Sequence, residues 1–142
     1  MPSITFKNSG VQACLKNKQE VKRLISFIFK NEGFDLDKVS FIFSSDDAIL
    51  RLNKEFLNHD TLTDILTFTL SDPSEPVFSE IYISVERVKE NSKKFGVSYL
   101  EELYRVMVHG ILHLCGFSDH SSRLKSEMRE KENFYLKMIR FT

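Results

Sequence analysis

The sequence predicts one α+β domain over residues 1–142, in which a mixed sheet of about four strands packs against about five helices. Two observations support this fold class. The chain has 142 residues and 42% of them are hydrophobic, which is enough to bury one core of ordinary size. Short β-branched and aromatic runs occur between longer stretches with apolar residues at helical spacing, and no linker or repeat divides them.

Four segments have the composition of strands. They are rich in β-branched and aromatic residues or alternate apolar with polar side chains. In chain order they are Ile4–Lys7, Val39–Phe43, Ile65–Leu70 and Glu80–Ser84.

Five helices are predicted from their end signals. They run from Asn17 to Gly33, from Ser45 to about Phe56, from Ser84 to Gly96, from Ser98 to Gly116, and from about Ser122 to Ile139. The first four begin at an Asn or Ser whose side-chain oxygen can accept from the first-turn amides. Three end at glycine, which adopts the left-handed conformation that stops a helix.

Charge and composition exclude several classes of protein. Twenty lysines and arginines balance 20 aspartates and glutamates, so the formal net charge is zero. A protein held on nucleic acid by bulk charge would be basic, so any such contact must come from a local site. No apolar run reaches the roughly 20 residues of a membrane span, and the start lacks the core of a signal peptide. Cys14 and Cys115 form no CxxC pair, and we therefore expect a cytoplasmic protein that makes no membrane contact.

Three of the four histidines lie within twelve residues, at His109, His113 and His120. His109 and His113 are one helical turn apart on one face, a spacing that lets two imidazoles bind one cation. Gly116 allows the chain to turn back, so that His120 or Asp119 becomes a third ligand. A lone helical histidine is more often an ordinary core or surface residue, but this combination favours a metal. Three protein ligands with an open fourth position are typical of catalytic zinc.

Residues near the histidines predict what kind of zinc site this is. The pattern resembles the HExxH helix of zinc peptidases, but Gly110 stands where the catalytic glutamate would be, which argues against a peptidase. Glu102 and Arg105 precede His109 by seven and four residues and lie on about the same helix face. They are candidates for catalysis, with a solvated face or an intrahelical ion pair as the alternative.

The histidine block resembles that of the YbeY-type endoribonucleases, the bacterial rRNA maturation factors. Its pattern is His-Gly-x-Leu-His-Leu-x-Gly followed by Asp-His, over residues 109–120. Further matching passages are Leu52–Phe56, Leu62–Phe68, Glu80–Ser84, Glu102–Leu103, Glu127–Met128 and Glu132. The resemblance covers roughly residues 40 to 138, in order and at similar spacing.

The resemblance implies one Zn²⁺ per chain, with His109, His113 and His120 as ligands. It implies a single-strand-specific endoribonuclease that matures the 3′ end of the small-subunit (16S) rRNA and acts in ribosome quality control. Its partners would be the rRNA precursor, the small subunit and assembly proteins, with no DNA substrate. The family match also moves Asp64, otherwise a turn residue before a strand, into the candidate catalytic set.

Three departures from the family pattern have consequences. Six residues separate His113 from His120 where five are usual, so the turn bulges or Asp119 is the third ligand. Leu57 replaces an arginine that would contact phosphate, and Ser79-Glu80 replaces Gly-Asp.

Two cleavage routes and one competing function remain open. Zinc can activate water or the phosphate, with Glu102, Arg105 or Asp64 assisting, or the RNA 2′-hydroxyl can attack while the metal stabilises charge. The competing function is a non-catalytic RNA-binding assembly factor with a structural zinc. It stays open because Leu57 stands where the family has an arginine.

Overall fold

The computed structural model describes residues 2–57 and 63–139 and shows the predicted single α+β domain of four strands and five helices. The strands are β1 (Ser3–Asn8), β2 (Leu36–Ser44), β3 (Ile65–Thr69) and β4 (Val77–Ser84). The helices are α1 (Lys18–Asn31), α2 (Asp46–Leu57), α3 (Val85–Phe95), α4 (Tyr99–Leu114) and α5 (Ser122–Leu136). Each predicted strand and helix is therefore confirmed, with shifts of a few residues at the ends.

The sheet is mixed, with strand order β1-β2-β4-β3. β1 and β2 are parallel, as are β2 and β4, whereas β3 is an antiparallel edge strand on β4. Phe41 of β2 pairs with Ile81 of β4, which in turn pairs with Thr67 of β3. Paired residues on neighbouring strands point to the same face of a sheet, so these three side chains share one face.

Helix α4 is the central element of the core. It contacts α1, α3 and α5 as well as β3 and β4. Leu103, Met107 and Ile111 of α4 are fully or almost fully buried in the same cluster as Phe41 and Ile81. On the opposite face of the sheet, Phe56 of α2 contacts Phe68 of β3 edge to face.

The helix ends confirm the predicted serine caps and correct the cap predicted at Asn17. The side chains of Ser45, Ser84 and Ser98 each accept a hydrogen bond from a first-turn amide, as predicted. Asn17 makes no side-chain cap: its backbone adopts a left-handed conformation with φ 57°. Its carbonyl still accepts from the amide of Val21, so the prediction of a capping side chain at Asn17 was wrong.

Gly110 lies where α4 packs closely against the sheet. A Cβ at this position would stand 2.8 Å from Ile65 Cδ1 and 3.3 Å from Ile81 Cδ1. Residue 110 therefore faces the sheet, and a larger side chain there would enter the core. This explains in packing terms why glycine occupies the position.

Two further expectations concern the cysteines and the membrane. Cys14 and Cys115 are both free thiols. Cys115 lies in the hydrophobic core, and burial raises the pKa of its thiol to about 12. Within residues 2–57 and 63–139, no helix is both long and apolar enough to cross a membrane.

Substituting Gly110 tests the close packing of α4. Gly110→Leu should destabilise the protein by about 1–3 kcal/mol, because added methylenes overpack a filled core. Gly110→Ala should be nearly neutral, since a gain in helix propensity of about 1 kcal/mol offsets the movement of Ile65. Thermal and urea unfolding would measure both variants. A leucine variant as stable as the wild type would show that α4 has room against the sheet.

Candidate metal centre

The last two turns of α4 carry the two histidines predicted as ligands. His109 and His113 lie one turn apart, and their ring centroids are 4.8 Å apart with an interplanar angle of 76°. The helix ends at Leu114, and Gly116 follows with φ 93°, a conformation that turns the chain back over this face. Both rings are partly exposed, so they remain accessible to a cation.

The turn brings Asp119 to the histidine pair. One ligand atom from each of His109, His113 and Asp119 can be chosen so that all three lie within 4.8 Å of one another. The Nε2 atom of His109 is 3.7 Å from Oδ2 of Asp119. His120 is exposed, and its backbone amide donates to the Ser118 hydroxyl. Of the two third ligands that the sequence left open, the geometry favours Asp119.

The donor set fits zinc. Two imidazoles and one carboxylate form a set of three protein ligands like those of catalytic zinc sites, which leave a fourth position open. Burial, followed by the neighbouring His109, lowers the pKa of His113. His113 is therefore held neutral near pH 7, and the neutral imidazole is the form that binds a metal.

Glu132 of α5 contacts His109 at Nδ1, whereas Asp119 faces Nε2. Sequence reasoning gave Glu132 no role in the site. Its Oε2 lies 2.6 Å from Nδ1 of His109, and its side chain is only 6% exposed. Although burial opposes the charged imidazole, the hydrogen bond to Glu132 raises the pKa of His109. Glu132 lies 23 residues after His109 in the sequence, so no local spacing signals the contact.

The three predicted catalytic residues all line one cavity beside the candidate metal ligands. The cavity has a volume of about 260 Å³. It is lined by Asp64, Glu102, Arg105, His109, Asp119 and Glu132, together with Asn91, Phe95, Val106 and Arg129. The structure thus brings Asp64 from before β3 to residues of α3, α4 and α5.

Burial raises the pKa of two carboxyl groups that line this cavity. Glu102 is 5% exposed, and burial, followed by the negative charge of Asp64, raises its pKa to about 7. Burial also raises the pKa of Asp64. A carboxyl group whose pKa is near neutrality is suited to donate and accept protons at physiological pH.

The two arginines at the cavity differ in how they are engaged. Arg105 donates from Nη1 to Glu132 and from Nη2 to Asn133, at 3.0 and 2.9 Å. Arg129 has a side chain that is 59% exposed, and its Nη1 lies 3.9 Å from Glu132. Arg105 is therefore placed to hold α5 against α4, whereas Arg129 is the more accessible guanidinium at the cavity.

Leu57 and His59 have no described site geometry. Leu57 is the last residue of α2, and the consequence of its replacing arginine stays a prediction. His59, in a polar stretch of the sequence, lies outside the described residues.

Comparisons with known proteins agree with the resemblance seen in the sequence. The family model described as Endoribonuclease YbeY matches residues 3–140. A protein of Amoebophilus asiaticus, named Endoribonuclease YbeY, is 38% identical over 134 residues, covering 94% of this chain and 91% of that protein. One of Cytophaga hutchinsonii with the same name is 35% identical over 139 residues, covering 98% and 97%.

A solved structure is also similar. The solution structure of a Thermotoga maritima protein superposes with a TM-score of 0.64 at 32% sequence identity. The match covers 95% of this chain and 87% of that one. Sequence and fold therefore agree over nearly the whole chain.

Paired substitutions distinguish the two candidate third ligands. Asp119→Asn should weaken Zn²⁺ binding by more than the roughly 10–100-fold that loss of an outer hydrogen-bond partner costs, because it removes a charged ligand. His120→Asn should change the affinity little. Competition with a chromophoric chelator would measure both affinities, with circular dichroism as the control for folding. A larger loss in His120→Asn would instead identify His120 as the ligand.

Proposed function

Because the chain belongs to the Endoribonuclease YbeY family, we propose that it is a zinc-dependent endoribonuclease that cuts single-stranded RNA. The observation that carries this proposal is the position of His109, His113 and Asp119 beside a cavity lined by acidic residues and arginine. We extend the proposal to maturation of the small-subunit rRNA 3′ end and to ribosome quality control. The partners would then be the rRNA precursor, the small subunit and assembly proteins in the cytoplasm.

The proposed chemistry divides between the metal and the side chains around it. When bound by His109, His113 and Asp119, zinc would polarise a phosphoryl oxygen and lower the pKa of a coordinated water. Glu102, with its pKa near 7, is placed to move a proton at the cavity, and Asp64 beside it favours the protonated form. The protonated fraction of Glu102 falls as the pH rises through about 7.

Arg129 supplies the local positive charge that a protein of zero net charge needs to bind RNA. Its accessible guanidinium lines the cavity that His109 and Asp119 also line. A guanidinium can bind a phosphate through two parallel hydrogen bonds. Arg129 can therefore take on the phosphate contact that the family's arginine would make at position 57.

The surroundings of the site suit a substrate that continues on both sides of the cut. His109 and Asp119 line the cavity of about 260 Å³, whereas His113 lines a separate groove of about 510 Å³. The loop between β3 and β4 and the turn after α1 form the groove walls, which include the exposed ring of Phe34. An internal cut in a single strand requires room for chain in both directions, and these two depressions offer it.

Peptidase activity is disfavoured by the packing of α4. Gly110, at the position of the peptidase glutamate, faces Ile65 and Ile81 of the sheet rather than the cavity. The general base of the HExxH mechanism has no counterpart at that position.

Cleavage of RNA tests the proposed function directly. Zinc-loaded wild type should cut a single-stranded RNA that carries the small-subunit rRNA 3′ precursor end, and folded His113→Ala should not. Gel analysis of end-labelled RNA would show both results. A cyclic 2′,3′-phosphate product would indicate attack by the 2′-hydroxyl, and a free 3′-hydroxyl would indicate attack by water. RNA that is bound but uncut by the zinc-loaded protein would favour the non-catalytic assembly factor.

A matched pair of glutamine variants tests the proton-transfer role of Glu102. Glu102→Gln should lower kcat by about 10²–10⁴-fold with little change in KM, because it removes the proton-transferring carboxyl. Glu101→Gln, one residue earlier in the first turn of α4, should keep kcat. Single-turnover and steady-state cleavage would be measured with zinc content checked in each sample. Equal rates for the two variants would remove Glu102 from the mechanism.

A further inference from the structure

A buried carboxylate with both oxygens engaged stands behind the first histidine of the candidate site. Glu132 is only 4% exposed. Its Oε2 lies 2.6 Å from Nδ1 of His109, and its Oε1 accepts a hydrogen bond from Nη1 of Arg105 at 3.0 Å. A buried carboxylate is costly unless it is paired, and here each oxygen has a separate partner.

The two nitrogens of His109 face different groups. Nδ1 faces Glu132, whereas Nε2 faces Asp119 at 3.7 Å from Oδ2. An ionised carboxylate only accepts hydrogen bonds, so a contact of 2.6 Å places the proton of a neutral His109 on Nδ1. The lone pair of Nε2 is then directed toward the atoms of His113 and Asp119.

We propose that Glu132 is a positioning residue of the metal centre, which fixes the Nδ1–H tautomer and the ring orientation of His109 so that Nε2 can bind zinc. This inference rests on the metal site of the proposed function, but not on the RNA chemistry. Metal-binding histidines generally donate their second ring N–H to a carboxylate or carbonyl, which increases their basicity toward the metal.

Arg105 holds Glu132 in place for this contact. It lies one turn before His109 on α4 and donates to both Glu132 and Asn133 of α5. Arg105 thus couples α5 to the helix that carries the ligands, and its charge stabilises the ionised form of Glu132. The same ion pair could serve only to hold α5 on α4, which is the structural alternative that the experiment must separate.

Two variants break the same ion pair, but only one replaces the carboxylate that faces His109. In Glu132→Gln the amide can donate as well as accept, so the proton of His109 is no longer confined to Nδ1. Arg105→Gln keeps the carboxylate beside His109. Zn²⁺ affinity would be measured by chelator competition, the ligand field by the visible spectrum of the Co²⁺-substituted protein, and stability by thermal unfolding of the metal-free protein.

We expect Glu132→Gln to weaken Zn²⁺ binding by about 10–100-fold and to alter the Co²⁺ spectrum. Arg105→Gln should lower the thermal stability to a similar extent but reduce the Zn²⁺ affinity only a few-fold. Equal losses of affinity in the two variants would overturn the proposal, because they would show that Glu132 acts only through its ion pair with Arg105.

A measurement on the unmodified protein keeps the proposal testable if Glu132→Gln fails to fold. At a pH where the His109 ring is neutral, its ¹⁵N chemical shifts in the metal-free protein report which nitrogen carries the proton. The Nδ1–H tautomer is expected, and a neutral Nε2–H form would overturn the proposal.

Failure of this inference and failure of the proposed function give different results. Zinc binding that depends on Glu132, in a protein that cuts no RNA, would overturn the nuclease proposal and support the positioning role. RNA cleavage by the wild type, together with an unchanged Zn²⁺ affinity in Glu132→Gln, would support the nuclease proposal and overturn the positioning role. A wild-type protein that binds no Zn²⁺ would overturn both.

Discussion

The packing of α4 against the sheet is the constraint on which the candidate site depends. Gly110 lets the helix approach Ile65 and Ile81 closely, and this approach fixes the rotation of α4 about its axis. With the apolar face turned to the sheet, the residues of the neighbouring face, Glu102 and His109 among them, line the cavity. The position of the candidate metal ligands therefore follows from how the core is packed.

The site is assembled around α4 from segments that are distant in the sequence. Asp64 arrives from the stretch before β3, Asp119 from the turn after Gly116, and Glu132 from α5. Arg105 of α4 donates hydrogen bonds to Glu132 and Asn133, which couples α5 to α4. A change at Arg105 would accordingly reach His109 through Glu132.

Electrostatics gives the acidic residues around His109 different tasks. Glu132 has arginine and histidine as partners, and although burial opposes ionisation, these hydrogen bonds lower its pKa. Glu102 has no hydrogen bond to its side chain from the described residues, and burial raises its pKa to about 7. One glutamate is therefore held ionised to orient a ligand, and the other is able to exchange a proton. Their difference arises from partners rather than from residue type.

The sequence by itself determined the fold class, the order of the elements, the histidine pair and the family. These features depend on local periodicity, on serine caps such as Ser84 and Ser98, and on the one-turn spacing of His109 and His113, all of which can be read within a few residues. The same local reasoning failed at Asn17, where the backbone conformation rather than a side-chain cap begins the helix.

Only the tertiary structure decided which group meets the histidines and what lies behind them. The turn after Gly116 brings Asp119, rather than His120, to the histidine pair. This outcome depends on the backbone geometry of the turn, which a count of residues does not supply. The contact between Glu132 and His109 spans two helices, and the engagement of Arg105 follows from that contact. The physical reason is the same in each case: helical spacing relates residues within one turn, whereas packing relates residues on different elements.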